Sequence, residues 1–135
     1  MTGFSFAVRV YWEDTDAQGV VYYANYFRFM ERARTEWLRA RGVEQERLRQ
    51  DHGLIFSVIS TGIEFRRPAR FDELLHVSAD LEFIRGARFR FTQVIRRDGP
   101  DGEVLCEGHC EAACLDASSY RPRRLPAAIL GESAE

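Results

Sequence analysis

The chain has 135 residues, 45% of them hydrophobic and 30% charged, a mix that fits one globular domain rather than a disordered or membrane-spanning chain. Nineteen basic and 21 acidic side chains leave a net charge of −2, which removes any general attraction to nucleic acid or anionic lipid. All the basic residues are arginine, so lysine Schiff-base chemistry and the phosphate-binding lysine of a P-loop are both excluded.

Phe6, Val8, Val10 and Trp12 alternate with Ala7, Arg9 and Tyr11, which predicts a half-buried first strand. An acidic loop follows, Glu13 to Gly19. From about Ala24 to Arg41 the period becomes helical, with Tyr26, Met30, Ala33, Trp37 and Ala40 on one stripe and Gly42 as the C-terminal stop. A short helical or irregular stretch runs on to about Gly53. Four strands are then expected: Ile55 to Arg67, Leu75 to Phe83, Ala87 to Arg97, and one along which Val104, Cys106, Gly108, Cys110, Ala112 and Cys114 share a face. The turn chemistry at Arg85–Gly86 and Asp98–Gly102 joins them largely as hairpins. Residues from about 118 to 135 read as a tail, irregular or ending in a short helix, on a single domain spanning 1–135.

A helix laid on a mostly antiparallel sheet is an α+β arrangement. Its open edges and second face need cover, so the chain is expected to form at least a dimer. The N-terminal MTGFSFAVRV has neither a basic nor an apolar export region, and no uncharged run approaches the ~18 residues of a membrane span. Three cysteines, an odd number, fit reduced thiols and a cytoplasmic location.

Chemistry concentrates between Arg9 and Tyr26. A carboxylate just before a helix start lies where backbone N–H groups are unpaired and the dipole favours negative charge. Asp14 or Asp16 there either caps and orders the loop, or works as a reactive carboxylate beside an oxyanion-stabilising pocket. Asp14-x-Asp16-x-Gln18-Gly19 follows the first half of a calcium loop, but position twelve is Asn25 rather than the bidentate glutamate. The cysteines, four residues apart on a strand, are about 13 Å from one another, too far to share a metal ion. His52, His76 and His109 fall in separate segments, and no Gly-x-Ser-x-Gly is present. No metal site is expected.

Arg9-Val10, Thr15-Asp16 and Gly19-Val20-Val21, at these spacings, resemble the active-site signature of the 4-hydroxybenzoyl-CoA thioesterase family of hotdog-fold acyl-CoA thioesterases. Tyr26 and the Glu31-Arg32-Ala33-Arg34 run are similar to its YbgC, Tol–Pal-associated branch. The motif covers about the first third of the chain, and the order of one strand, a long helix and four strands matches nearly all of it. The resemblance implies a hotdog fold, one long helix wrapped by a curved, mostly antiparallel five-stranded sheet. It implies hydrolysis of an acyl-CoA to free acid and CoA, with Asp16 as nucleophile or general base and the Tyr23 backbone N–H polarising the thioester carbonyl. Trp12, Gly19, Arg85 and Arg88 are the implied substrate-binding residues, the arginines as forks for CoA phosphates. It further implies acyl-CoA or an acyl-carrier protein as substrate, no cofactor beyond the CoA carried by the substrate, and a homodimer or homotetramer.

Many YbgC-type members carry histidine where Tyr23 stands here, and tyrosine in place of Trp12. The missing imidazole keeps a second reading open, a non-catalytic or weakly active hotdog module that binds an acyl carrier or a complex. A hydroxyacyl dehydratase, the third, would need a histidine near the helix start, and none is there.

Overall fold

The computed structural model describes residues 3–130. The elements run β1 (Phe4–Arg9), a 3-10 turn (Trp12–Asp14), α1 (Ala24–Ala40), α2 (Gln45–His52), β2 (Leu54–Phe65), β3 (Leu74–Arg85), β4 (Arg88–Arg97), β5 (Val104–Asp116) and α3 (Ala127–Leu130). The strands form one antiparallel sheet in the order β1-β3-β4-β5-β2, open at both edges. This is the expected α+β hotdog arrangement.

The helical stripe buries Tyr26, Phe29, Met30, Ala33, Trp37 and Leu38 against the sheet. Gly42, at φ +81°, lets the chain reverse so that the Val43 N–H reaches the Leu38 carbonyl at 2.9 Å, the closure expected of a glycine one step past a helix end. The sheet must come very close to α1. A Cβ built on Gly108 in β5 would lie 2.8 Å from Met30 Sδ and 3.0 Å from the Gly62 carbonyl oxygen, so only glycine admits the helix at this depth.

One expectation is corrected and three become more definite. The first strand stops at Arg9, and Trp12 leaves its alternation because the chain there tightens into the 3-10 turn. The stretch before Gly53 is a regular helix, α2, closed by Gly53 at φ +65°. Strands β3, β4 and β5 are hairpin-linked, but β2 pairs with β5 at the far edge rather than with β3. Segment 66–73 must therefore cross the end of the sheet: the Arg66 and Arg67 N–H groups donate to the Leu105 carbonyl on one side, and the Asp72 N–H to the Val10 carbonyl on the other. Lastly, the described part of the tail, residues 118–130, ends in the expected short helix, α3, and reaches the core; the remainder lies outside the described residues. Leu125 and Ile129 are buried with Trp37, Val43 and Cys114, and Pro122 bridges to Leu115.

Inward residues of β4 are Phe89, Phe91, Gln93 and Ile95, all buried. The cysteines of β5 also point inward and are free thiols. Among the described residues no helix is long and apolar enough to cross a membrane.

Candidate active site

The crossing segment and the acidic loop meet at the N-terminal end of α1. Thr15 bridges to Val21, and inside that bridge the Asp16 N–H donates to the Val20 carbonyl at 2.9 Å. The loop thus doubles back and sets Asp16 opposite Val20, three residues before Tyr23. Gly19 makes the reversal feasible: it sits at φ +82°, a left-handed conformation costly for a residue with a Cβ, and its N–H donates to the Asp16 carbonyl at 3.0 Å.

Asp16 itself is exposed. Its Oδ1 accepts the Gln18 N–H at 2.8 Å, which fixes the carboxylate's orientation, while Oδ2 accepts nothing among the described residues. Asp14 plays a different part. Its Oδ2 accepts the Tyr11 N–H at 2.8 Å and closes the 3-10 turn. Its carbonyl accepts both the Tyr22 N–H and Asn25 Nδ2 at 2.9 Å, tying the loop to the first turn of α1. As the first alternative expects, both carboxylates order the loop, Asp14 at the 3-10 turn and Asp16 through the Gln18 N–H, yet both fail to cap α1.

That failure leaves the helix start open. Alpha1 has no side-chain cap, and the Tyr23 N–H finds no acceptor among the described residues. The result is a carboxylate with one uncommitted oxygen on the closed loop that leads into an uncapped helix N-terminus, the two kinds of group that acyl transfer needs, a base or nucleophile and an oxyanion donor. The floor is rigid. The buried hydroxyl of Tyr26 accepts the Ala69 N–H at 3.0 Å, and Ala69 in turn accepts the Val21 N–H at 2.9 Å. Burial pushes the Tyr26 phenol above its ordinary value, so it stays neutral and can only hold position.

Trp12 lies 70% exposed and stacks on Phe71 of the crossing segment, ring centroids 3.6 Å apart and 13° from parallel. Arg70, next to Phe71, bridges to Val20 three residues before Tyr23, and Tyr22 and Tyr23 pack on each other at 4.9 Å. The indole and the helix start thus belong to one end of the molecule. Arg85 and Arg88 do not. They flank the β3–β4 turn, eleven residues along β3 from Leu74, about 36 Å at strand rise, and so at the opposite end of the sheet. Arg88 pairs with Glu111 at 3.2 Å, and Arg85 lies over the Phe83 ring. Within one chain, Asp16, Gly19, Tyr23 and Trp12 come together and the two arginines stand apart.

Two contributors escaped the sequence pattern. Asn25 looks like an ordinary first-turn residue until its bond to Asp14 is seen. Phe71 sits in a crossing segment that no periodicity marks.

A family model described as the thioesterase-like superfamily matches residues 10–132. The chain belongs to the thioesterase-like superfamily. Membership makes it a thioester hydrolase by family. The acyl-CoA thioesterase YbgC of Haemophilus influenzae is 40% identical over 124 residues, covering 92% of this chain and 89% of that protein. The acyl-CoA thioester hydrolase YbgC of Escherichia coli O157:H7 is 40% identical over 131 residues, covering 97% and 96%. Among solved structures, a probable thioesterase from Bartonella henselae superposes with a TM-score of 0.82 at 38% identity, over 90% of this chain and 98% of that one. The resemblance read from the first third of the sequence therefore extends along most of this superfamily member.

Proposed function

We propose that the protein hydrolyses acyl-CoA thioesters to the free acid and CoA, with the Asp16 carboxylate and the Tyr23 backbone N–H as its working groups. One observation carries the reading: a carboxylate with an uncommitted oxygen is held by a closed loop next to a helix start that nothing caps. The thioester carbonyl oxygen takes the Tyr23 N–H, where the helix dipole and the hydrogen bond both strengthen as the oxygen gains charge. Asp16 acts on the carbonyl carbon directly, giving a mixed anhydride that water opens, or takes a proton from the water that attacks. In both routes the thiolate of CoA leaves unaided, because a thiol of pKa about 8.5 is a good leaving group. No cofactor enters. The substrate class agrees with the names of the YbgC relatives.

The working unit in this proposal is a dimer joined along β2. That strand is a 12-residue edge with Glu64 as its one charge, and Val58, Ile59 and Phe65 are exposed on it. An edge so long and so apolar is a template for strand pairing. Antiparallel pairing about a two-fold axis exchanges strand ends, so the partner's β3–β4 turn arrives at the end of the sheet where this chain holds Asp16. This gives Arg85 and Arg88 a route to the phosphates of a CoA bound at the neighbour's site.

Thiol release from a panel of acyl-CoAs by the wild type and Asp16→Asn is the test. Release that drops at least 100-fold in the variant, with an unchanged circular dichroism spectrum, supports the carboxylate's role. Equal rates in both proteins would refute it.

A further inference from the structure

The crossing segment between β2 and β3 is tied to the sheet by one side chain, Arg97 at the end of β4. Arg97 Nη1 donates to both carboxylate oxygens of Glu73, at 2.6 and 2.7 Å. Nη1 and Nη2 each approach the Pro68 carbonyl oxygen at 3.4 Å. Arg97 Nε and Nη2 meet Glu103 Oε1 at 3.3 Å, and the other oxygen of Glu103 accepts Arg67 Nε at 3.2 Å. One guanidinium thus reaches residues 67, 68 and 73, at both ends of the segment, while the Arg97 N–H is fixed in the sheet by the Glu103 carbonyl at 2.9 Å. The Arg97 and Glu73 side chains are 18% and 24% exposed, sheltered enough that salt screens them less than a surface pair.

The residues between these anchors touch the Asp16 loop. The Ala69 carbonyl accepts the Val21 N–H at 2.9 Å, Arg70 bridges to Val20, and Phe71 stacks on Trp12. The Val20 carbonyl in turn accepts the Asp16 N–H. Local preference does not hold the segment in this shape. Asp72 sits at φ +73°, a left-handed conformation that persists in a residue with a Cβ only where its surroundings impose it. The turn there is closed by the Arg70 N–H on Glu73 Oε1 at 2.8 Å, and Arg97 grips the same oxygen. Guanidinium, carboxylate, turn and loop therefore form one connected path from β4 to Asp16. The sheet does not depend on that path, because β2 is paired with β5, and β3 with β1 and β4, along their lengths.

We propose that Glu73 and Arg97 are positioning residues for the reactive carboxylate: the pair fixes the crossing segment, and the segment sets the Asp16 loop against the start of α1. The inference rests on the reading of Asp16 as base or nucleophile. A misplacement of about 1 Å, caused far from the chemistry, can cost about 100-fold in rate. Neither side chain touches the reacting atoms, so the pair governs turnover rather than the binding of acyl-CoA.

Thiol release and native-state hydrogen exchange on the wild type, Arg97→Met, Glu73→Gln and the double variant test this. Glu73→Gln keeps an oxygen for the Arg70 N–H and loses only the charge, so it carries the test alone should Arg97→Met not fold. Each single variant is expected to lose at least ten-fold in kcat, with KM within two-fold of the wild type. The double variant should lose no more than Arg97→Met, because both act through one contact. The Asp16 and Val21 amide protons should exchange at least ten-fold faster, while those of Trp37 and Leu38 in the far half of α1 change less than three-fold. An equal rise at all four amides would overturn the proposal, since the pair would then serve only global stability. So would kcat within two-fold of the wild type in the folded variants, or a raised KM with kcat kept. Absence of thiol release from the wild type would defeat the hydrolytic reading alone, and the exchange pattern would still decide whether the pair holds the loop.

Discussion

A side chain can be deleted by any substitution, but the Tyr23 donor is a backbone group and needs a different probe. Its φ of −57° is close to the value proline imposes, and proline is well tolerated in the first turn of a helix. Tyr23→Pro therefore removes the N–H while keeping the local fold, and should lower kcat about 100- to 1000-fold, the usual effect of losing one oxyanion donor. Tyr23→Phe keeps the N–H and should retain most of the activity. The opposite ranking of the two variants would transfer the role to the phenol. At this scale the sequence was informative about identity and silent about wiring. The Arg-Val, Thr-Asp and Gly-Val-Val spacing marked Asp16, Gly19 and Tyr23. Asn25 and Phe71 stayed hidden because their roles arise from hydrogen bonding and stacking across the loop.

Among the elements, α1 and β5 approach closely at Gly108. Gly108→Ala places a methyl into the Met30 side chain and near the Gly62 carbonyl oxygen. It should destabilise by about 1–3 kcal/mol, the range for overpacking a core, as measured by denaturant unfolding. Rates per folded molecule should stay unchanged, because the contact is one turn and more beyond the Asp16 loop. The same strand holds the three cysteines, and burial pushes the Cys106 thiol up to about 12. A thiol reagent at neutral pH should label none of them in the native protein and all three after denaturation; rapid native labelling would show that β5 opens. Periodicity recovered α1 and the strand pattern well, since one face of each is buried. It misplaced the end of β1 because Trp12 continues an apolar alternation that the backbone abandons. It also could not place β2, whose partner is decided by the crossing segment rather than by anything local.

For the whole molecule, the exposed β2 edge is the proposed seam of a dimer. Ile59→Arg puts a charge on that edge, where Ile59 is 46% exposed. It should convert the dimer to a monomer in light scattering, and, if CoA phosphates reach the partner's Arg85 and Arg88, raise KM for acyl-CoA more than it lowers kcat. A variant that stays dimeric with unaltered KM would move the interface elsewhere. Assembly is an expectation from the uncovered sheet, and proposing β2 as its seam needs the strand order, because β2 lies in mid-sequence and gives no sign of being outermost.

The strand order also governs how the protein is made. Leu54 at the start of β2 pairs with Asp116 at the end of β5, so β2 has no partner until nearly all of the chain has left the ribosome. Until then the whole length of β2 is uncovered, a sticky edge in a growing chain. The pairing of β2 must wait for the last strand and close long-range contacts, which slows this step relative to a locally connected fold. A premature stop within β5 would accordingly leave an aggregating chain rather than a smaller working domain.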